Sequence, residues 1–222
     1  MLPKTLPPWL PYTAPFALFL LLTSMEGTLH AAFYPVAYTV KIILVGLLLI
    51  GLRRKFPEAR PGGRGWAVAA LLGAVLTCVW LVTDHYAPHF KFLGHRTAYN
   101  PLHEIPNRAR AIAFLCVRFF GLVVIAPMVE ELFYRSFLLR FVTDMDDFQR
   151  VPLGTWTPLA LGICVMLFAV SHPEWLSAAI FALAMCLLLR YTKNLFACIL
   201  AHATTNLLLG VYILQTGQWQ YW

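Results

Sequence analysis

From residue 14 to residue 214 the chain is a succession of apolar runs, at about 14–23, 34–52, 66–83, 109–142, 156–172, 174–190 and 194–214. Most approach the roughly 20 residues that a helix needs to cross the hydrocarbon core of a bilayer. In lipid, an open strand edge would leave a row of backbone donors and acceptors unpaired. The runs are therefore expected to be helices. The fold class that follows is an all-α, polytopic bundle of seven or eight transmembrane helices, forming one integral membrane domain over residues 1–222. Composition agrees, since 60% apolar and 12% charged residues lie well outside the ~45–50% and ~25% of soluble domains.

The net charge of +7 raises the question of a nucleic-acid partner, but that requires Lys and Arg gathered on a soluble face. Here the densest cluster, Arg53, Arg54, Lys55, Arg60 and Arg64, follows directly on an apolar run, as in a cytoplasmic loop obeying the positive-inside rule. No nucleic-acid partner is expected. The run 14–23 could be a signal-peptide core, yet no small-x-small cleavage site follows it, so it is read as the first span. The run 109–142 is too long for one straight crossing and contains Pro127, which removes a backbone donor; it is one broken helix or two shorter ones. Counted as one pass, it puts Lys4, the 53–64 cluster, Arg140, Arg150, Arg190 and Lys193 on one side, giving seven spans with the N-terminus inside. Arg60 to Gly65 reads as a flexible connector. The five cysteines lie within apolar stretches and read as buried thiols. His85, His89, His95 and His103 share one loop but match no zinc spacing, so no metal is expected there.

An ionisable residue inside a membrane helix is costly and marks function by default. Glu130, Glu131 and Arg135 lie in the fourth run, His172 closes the fifth, and His202 and Asn206 lie in the last. Lys41 and Arg118 also qualify, with snorkelling or structural pairing as the simpler account. Adjacent helical residues are about 100° apart, so Glu130 and Glu131 are not expected to reach one partner. Glu131 precedes Arg135 by four residues, the favourable order for an ion pair on one face. Glu130 is left without a local partner, in a position to act as a general base. Phe168 with His172, and His202 with Asn206, are each separated by four and share a face.

A glutamate and a histidine can deprotonate a water, while a carboxamide and a second imidazole can donate to an oxyanion. That combination suits amide hydrolysis. No Asp falls within any span, which argues against a two-aspartate protease, and His-Glu-x-x-His and Gly-x-Ser-Gly are both missing. Ser171 is expected to point away from His172. Two alternatives stay open: a zinc enzyme built on one carboxylate and two imidazoles, and a non-catalytic binding or immunity protein, or small transporter, in which the same groups act as a brace.

At these residues the sequence resembles the CPBP family of membrane proteases, which includes type II CAAX prenyl endopeptidases and proteins of bacteriocin processing or immunity. The resemblance rests on Glu130-Glu131-Leu132-Phe133-Tyr134-Arg135 for Glu-Glu-x-x-x-Arg, Phe168 to His172 for Phe-x-x-x-His, and His202 to Asn206 for His-x-x-x-Asn, in the family's order. It implies a glutamate-dependent intramembrane endopeptidase with no metal or other cofactor, acting on a membrane-anchored peptide or protein such as a prenylated or CAAX-like one. Glu130 and His172 resemble the water-activating pair, and His202 and Asn206 the oxyanion-binding pair. Glu131 and Arg135 match supporting positions, and Phe168 is similar to an aromatic position beside the site. The layout of length and motifs is also similar to CAAX-protease-related proteins of bacteria, which implies a bacterial cytoplasmic (inner) membrane.

Overall fold

A computed structural model describes residues 7–94 and 98–221; Lys4 and His95, which entered the readings above, lie outside them. Each apolar run is a helix: α1 (Leu10–Glu26), α2 (Tyr34–Leu52), α3 (Trp66–Tyr86), α4 (Arg108–Thr143), α5 (Pro158–Val170), α6 (Trp175–Thr192) and α7 (Leu195–Thr216). No strand occurs among the described residues. The segments containing α2, α3, α4, α6 and α7 are long and apolar enough to cross a membrane, while α1 and α5 are shorter. The protein is an all-helical membrane bundle. Starts are written locally: prolines sit in the first turns of α1, α2 and α5, and the side chains of Asn107, Thr157 and Asn194 accept from orphan N–H groups at the heads of α4, α5 and α7.

The fourth run is one continuous helix of 36 residues, about 54 Å long at 1.5 Å per residue. Two stretches adopt the wider i→i+5 register, Gly121–Ile125 and Glu131–Leu138. Such π-segments are rare and recur at functional sites. Pro127 lies just after the first of them, so the register change, rather than a break into two helices, accommodates the missing donor.

Lys41 and Arg118 do not snorkel, since each is 3% exposed. Lys41 Nζ lies 2.6 Å from Glu26 Oε2, in an ion pair between α2 and the end of α1. Its ammonium also sits over the rings of Phe19 and Tyr38, and the Arg118 guanidinium lies over Tyr34 and Tyr38. Asp84 falls inside the last turn of α3, which runs past the expected end of that span, and contacts His89 Nε2 at 2.8 Å. Of the cysteines, Cys164, Cys186 and Cys198 are buried, whereas Cys78 and Cys116 are exposed on the outside of the bundle, against the expectation.

The Arg60 to Gly65 connector is tied down. Asn194 Nδ2 donates to the carbonyls of Gly62 and Arg64, at 2.7 and 3.2 Å. Beside it, Glu58 Oε1 accepts from Tyr12 Oη at 2.9 Å and Ser136 Oγ at 2.6 Å, joining α1, the connector and α4.

Helices α3 and α7 pack closely at Gly73. Its carbonyl accepts from Thr77 Oγ1 and Thr205 Oγ1, each at 3.0 Å. A methyl group at 73 would collide with the carbonyl oxygen of Ala201 and with Thr204 Cβ. Small residues at such crossings let membrane helices approach. Gly73→Ala is therefore expected to push α7 away from α3 and cost about 1–3 kcal/mol, the usual range for overpacking, read as a lowered unfolding midpoint in detergent. An unchanged midpoint would mean that the crossing yields without strain.

Candidate active site

The site is built from the end of α4 upward. Glu131 and Arg135 are both fully buried, and Arg135 Nε lies 3.3 Å from Glu131 Oε2, the ion pair that their spacing predicts. The guanidinium lies over the Phe168 ring, 4.7 Å from its centroid. The other carboxylate oxygen of Glu131 lies 2.9 Å from His202 Nδ1 on α7. A carboxylate can only accept, so Nδ1 carries the proton and Nε2 is the proton-accepting atom of the neutral ring. That Nε2 lies 3.9 Å from Glu130 Oε2. Both glutamates therefore reach one histidine, contrary to the 100° argument. They stand where the α-helix gives way to the π-segment Glu131–Leu138, whose wider turn narrows the angle between successive side chains. Glu130 Oε2 is buried and has no hydrogen-bond partner among the described residues.

The turn between α5 and α6 holds His172. Its Nδ1 lies 2.9 Å from the Phe168 carbonyl, which again can only accept, so Nδ1 is the donor of that bond. The imidazole stacks on the Phe168 ring at 4.6 Å, as the spacing of four predicts. Ser171 Oγ is 3.0 Å from the same Nδ1. The expectation that Ser171 points away from His172 is thus incorrect, because the helix ends at Val170 and the turn brings the two together. With Nδ1 protonated, however, His172 cannot take a proton from Ser171 through that contact.

Asn206 lies one turn beyond His202 and donates from Nδ2 to the Leu122 carbonyl at 2.8 Å. That carbonyl is orphaned by the register change: the Ala126 N–H is used on Gly121 O, and Pro127, next in line, has no N–H. Asn206 supplies the missing donor from another helix. Phe168 ties the groups together, stacked on His172, beneath Arg135 and edge-on to His202 at 6.5 Å.

Residues 112–208, a stretch holding all seven of these side chains, match the family model described as type II CAAX prenyl endopeptidase Rce1-like. This segment is similar to the CAAX protease family. The likeness is to membrane proteases of CAAX type, and the helices long and apolar enough to cross a membrane fit a chain embedded in the bilayer. Neither curated proteins nor solved structures give a significant match.

The matched segment does not complete the site alone. Trp80 of α3, outside it, lies edge-on to His172 at 5.9 Å, and Phe181 of α6 lies edge-on to His202 at 4.8 Å. Neither was singled out from the sequence, where an aromatic in an apolar run is indistinguishable from core. Among the described residues no three His, Cys, Asp or Glu side chains are grouped so as to hold a metal ion, in the catalytic cluster or in the histidine-bearing loop.

Proposed function

We propose that this protein is a glutamate-dependent intramembrane endopeptidase that hydrolyses a peptide bond of a membrane-anchored, CAAX-like or prenylated, protein or peptide. Glu130 and His172 activate the attacking water, and His202 and Asn206 face the oxyanion. The observation that carries the reading is the buried oxygen of Glu130, without a hydrogen-bond partner and facing an imidazole whose other nitrogen is already committed to Glu131. A buried carboxylate oxygen left in that state is poised to accept from water.

In the step that follows, the carboxylate of Glu130 takes one proton from the water as its oxygen bonds to the peptide carbonyl carbon. The negative charge moves to the carbonyl oxygen. Asn206 is anchored by one N–H and has a second to donate, and His202 donates from Nε2 when protonated, a charge that Glu130 and Glu131 would offset. Collapse of the tetrahedral species breaks the C–N bond, and the proton held by Glu130 passes to the leaving amine. Glu131 and Arg135 hold His202 in its tautomer, as an orienting carboxylate does in a catalytic triad.

The test compares the protein termini in membranes of cells carrying the wild-type chain with those carrying His172→Ala or Asn206→Ala. A trimmed terminus that disappears in both variants is expected. A terminus trimmed equally in all three would overturn the roles given to these two residues.

A further inference from the structure

A groove of about 620 Å³ runs between the first turns of α2 and the start of α4, lined by none of the side chains of the catalytic cluster. Its walls are Val36 and Val40 of α2 and Phe114 and Val117 of α4; Val36 and Val40 are 65% and 45% exposed. In a membrane bundle such exposure faces lipid tails rather than water, so the groove opens sideways to hydrocarbon. Its upper rim is polar and carries Glu104 and Arg110. These two bracket Asn107, the residue that caps α4 where the spanning helix begins, which sets them at headgroup level. No carboxylate pairs with Arg110 among the described residues. Glu104 Oε1 lies 3.2 Å from His103 Nδ1. An apolar slot beneath one cation and one anion is complementary to a molecule with a tail and a zwitterionic head.

We propose that this groove is a binding site for a phospholipid bearing a primary amine, with one acyl chain between α2 and α4, the phosphate on Arg110 and the ammonium on Glu104. A guanidinium matches phosphate oxygens through paired N–H donors. A carboxylate accepts hydrogen bonds from a primary ammonium, which a quaternary amine lacks the hydrogens to make. A purely anionic head would meet Glu104 as a like charge. The charge arrangement therefore selects ethanolamine over choline and glycerol headgroups. This site is independent of catalysis, and its readout is lipid retention.

The experiment reconstitutes the full chain in bilayers containing equal parts of phosphatidylethanolamine, phosphatidylcholine and phosphatidylglycerol with identical acyl chains. The protein is then extracted in mild detergent and its retained lipid weighed by native mass spectrometry. Wild type is expected to keep one phosphatidylethanolamine in about tenfold excess over either competitor, the scale of one charge-assisted hydrogen bond. Arg110→Gln, which removes the phosphate contact common to the three headgroups, should lower retention of every lipid, and Glu104→Gln should retain phosphatidylethanolamine and phosphatidylglycerol alike. Val36→Trp, which fills the groove from its lipid-facing side and is remote from the packed core, should abolish retention while the thermal midpoint stays at the wild-type value. Equal retention of all three lipids by wild type, preference for phosphatidylglycerol, or indifference to these substitutions would each overturn the assignment.

Discussion

Glu130→Gln is expected to give a folded protein that melts within about 1 kcal/mol of wild type and cleaves about 10²–10⁴ times more slowly, the range contributed by a general base. The two halves of that expectation come from the same geometry. Because Glu130 Oε2 makes no hydrogen bond with the described residues, a carboxamide of equal shape breaks no hydrogen bond there. It does remove the basic carboxylate that takes the water's proton. Single-turnover cleavage of a membrane-anchored peptide, run beside a thermal melt in the same detergent, measures both. Turnover near the wild-type rate would defeat the assignment of Glu130 as the base.

The opposite pattern is expected at Arg135→Leu. Here the loss is structural, because Arg135 and Glu131 are both fully enclosed and face one another at 3.3 Å. Removing one member of a buried ion pair leaves an uncompensated charge and costs about 3–5 kcal/mol, whereas replacing both members by apolar or neutral groups is often close to neutral. The single variant should lose most of its stability, with His202 released from its orientation. Adding Glu131→Gln to Arg135→Leu should restore the larger part of the unfolding free energy without restoring cleavage. A single variant destabilised by less than about 1 kcal/mol would show that water reaches the pair and screens it.

What the sequence disclosed about this site followed the period of the helix. Glu131 with Arg135 and Phe168 with His172 were legible because each pair lies four apart on one element, and the contacts appear as that spacing requires. The meeting of Glu130, Glu131 and His202 was not, because the argument assumed a uniform 3.6-residue turn, and the π-segment at Glu131 departs from it. Ser171 was misjudged for a related reason: the helix stops one residue earlier, at Val170. The helices themselves were visible as apolar runs, while the partners they bring together were not. Trp80 against His172 joins residues 92 positions apart in sequence, and an apolar run holds no record of which aromatic will face which imidazole. Asn206 shows a further limit. Its spacing from His202 placed it on the right face, but its acceptor exists only because Pro127 follows a widened turn.

That widened turn bears on how the chain tolerates change in length. The stretch Gly121–Ile125 accommodates one residue more than an ordinary helical turn would hold. Deleting any single residue there would let the backbone relax into regular winding and swing the part of α4 before the deletion by about 100° relative to the part after it. The lipid-facing side chains of Ile112 and Phe120 would then turn away from hydrocarbon, or the two glutamates would leave His202, since both halves cannot keep their places at once. Between Arg118 and Glu130, the tally of residues is thus as constrained as their identities, and homologous chains should show substitutions across this stretch but no gaps.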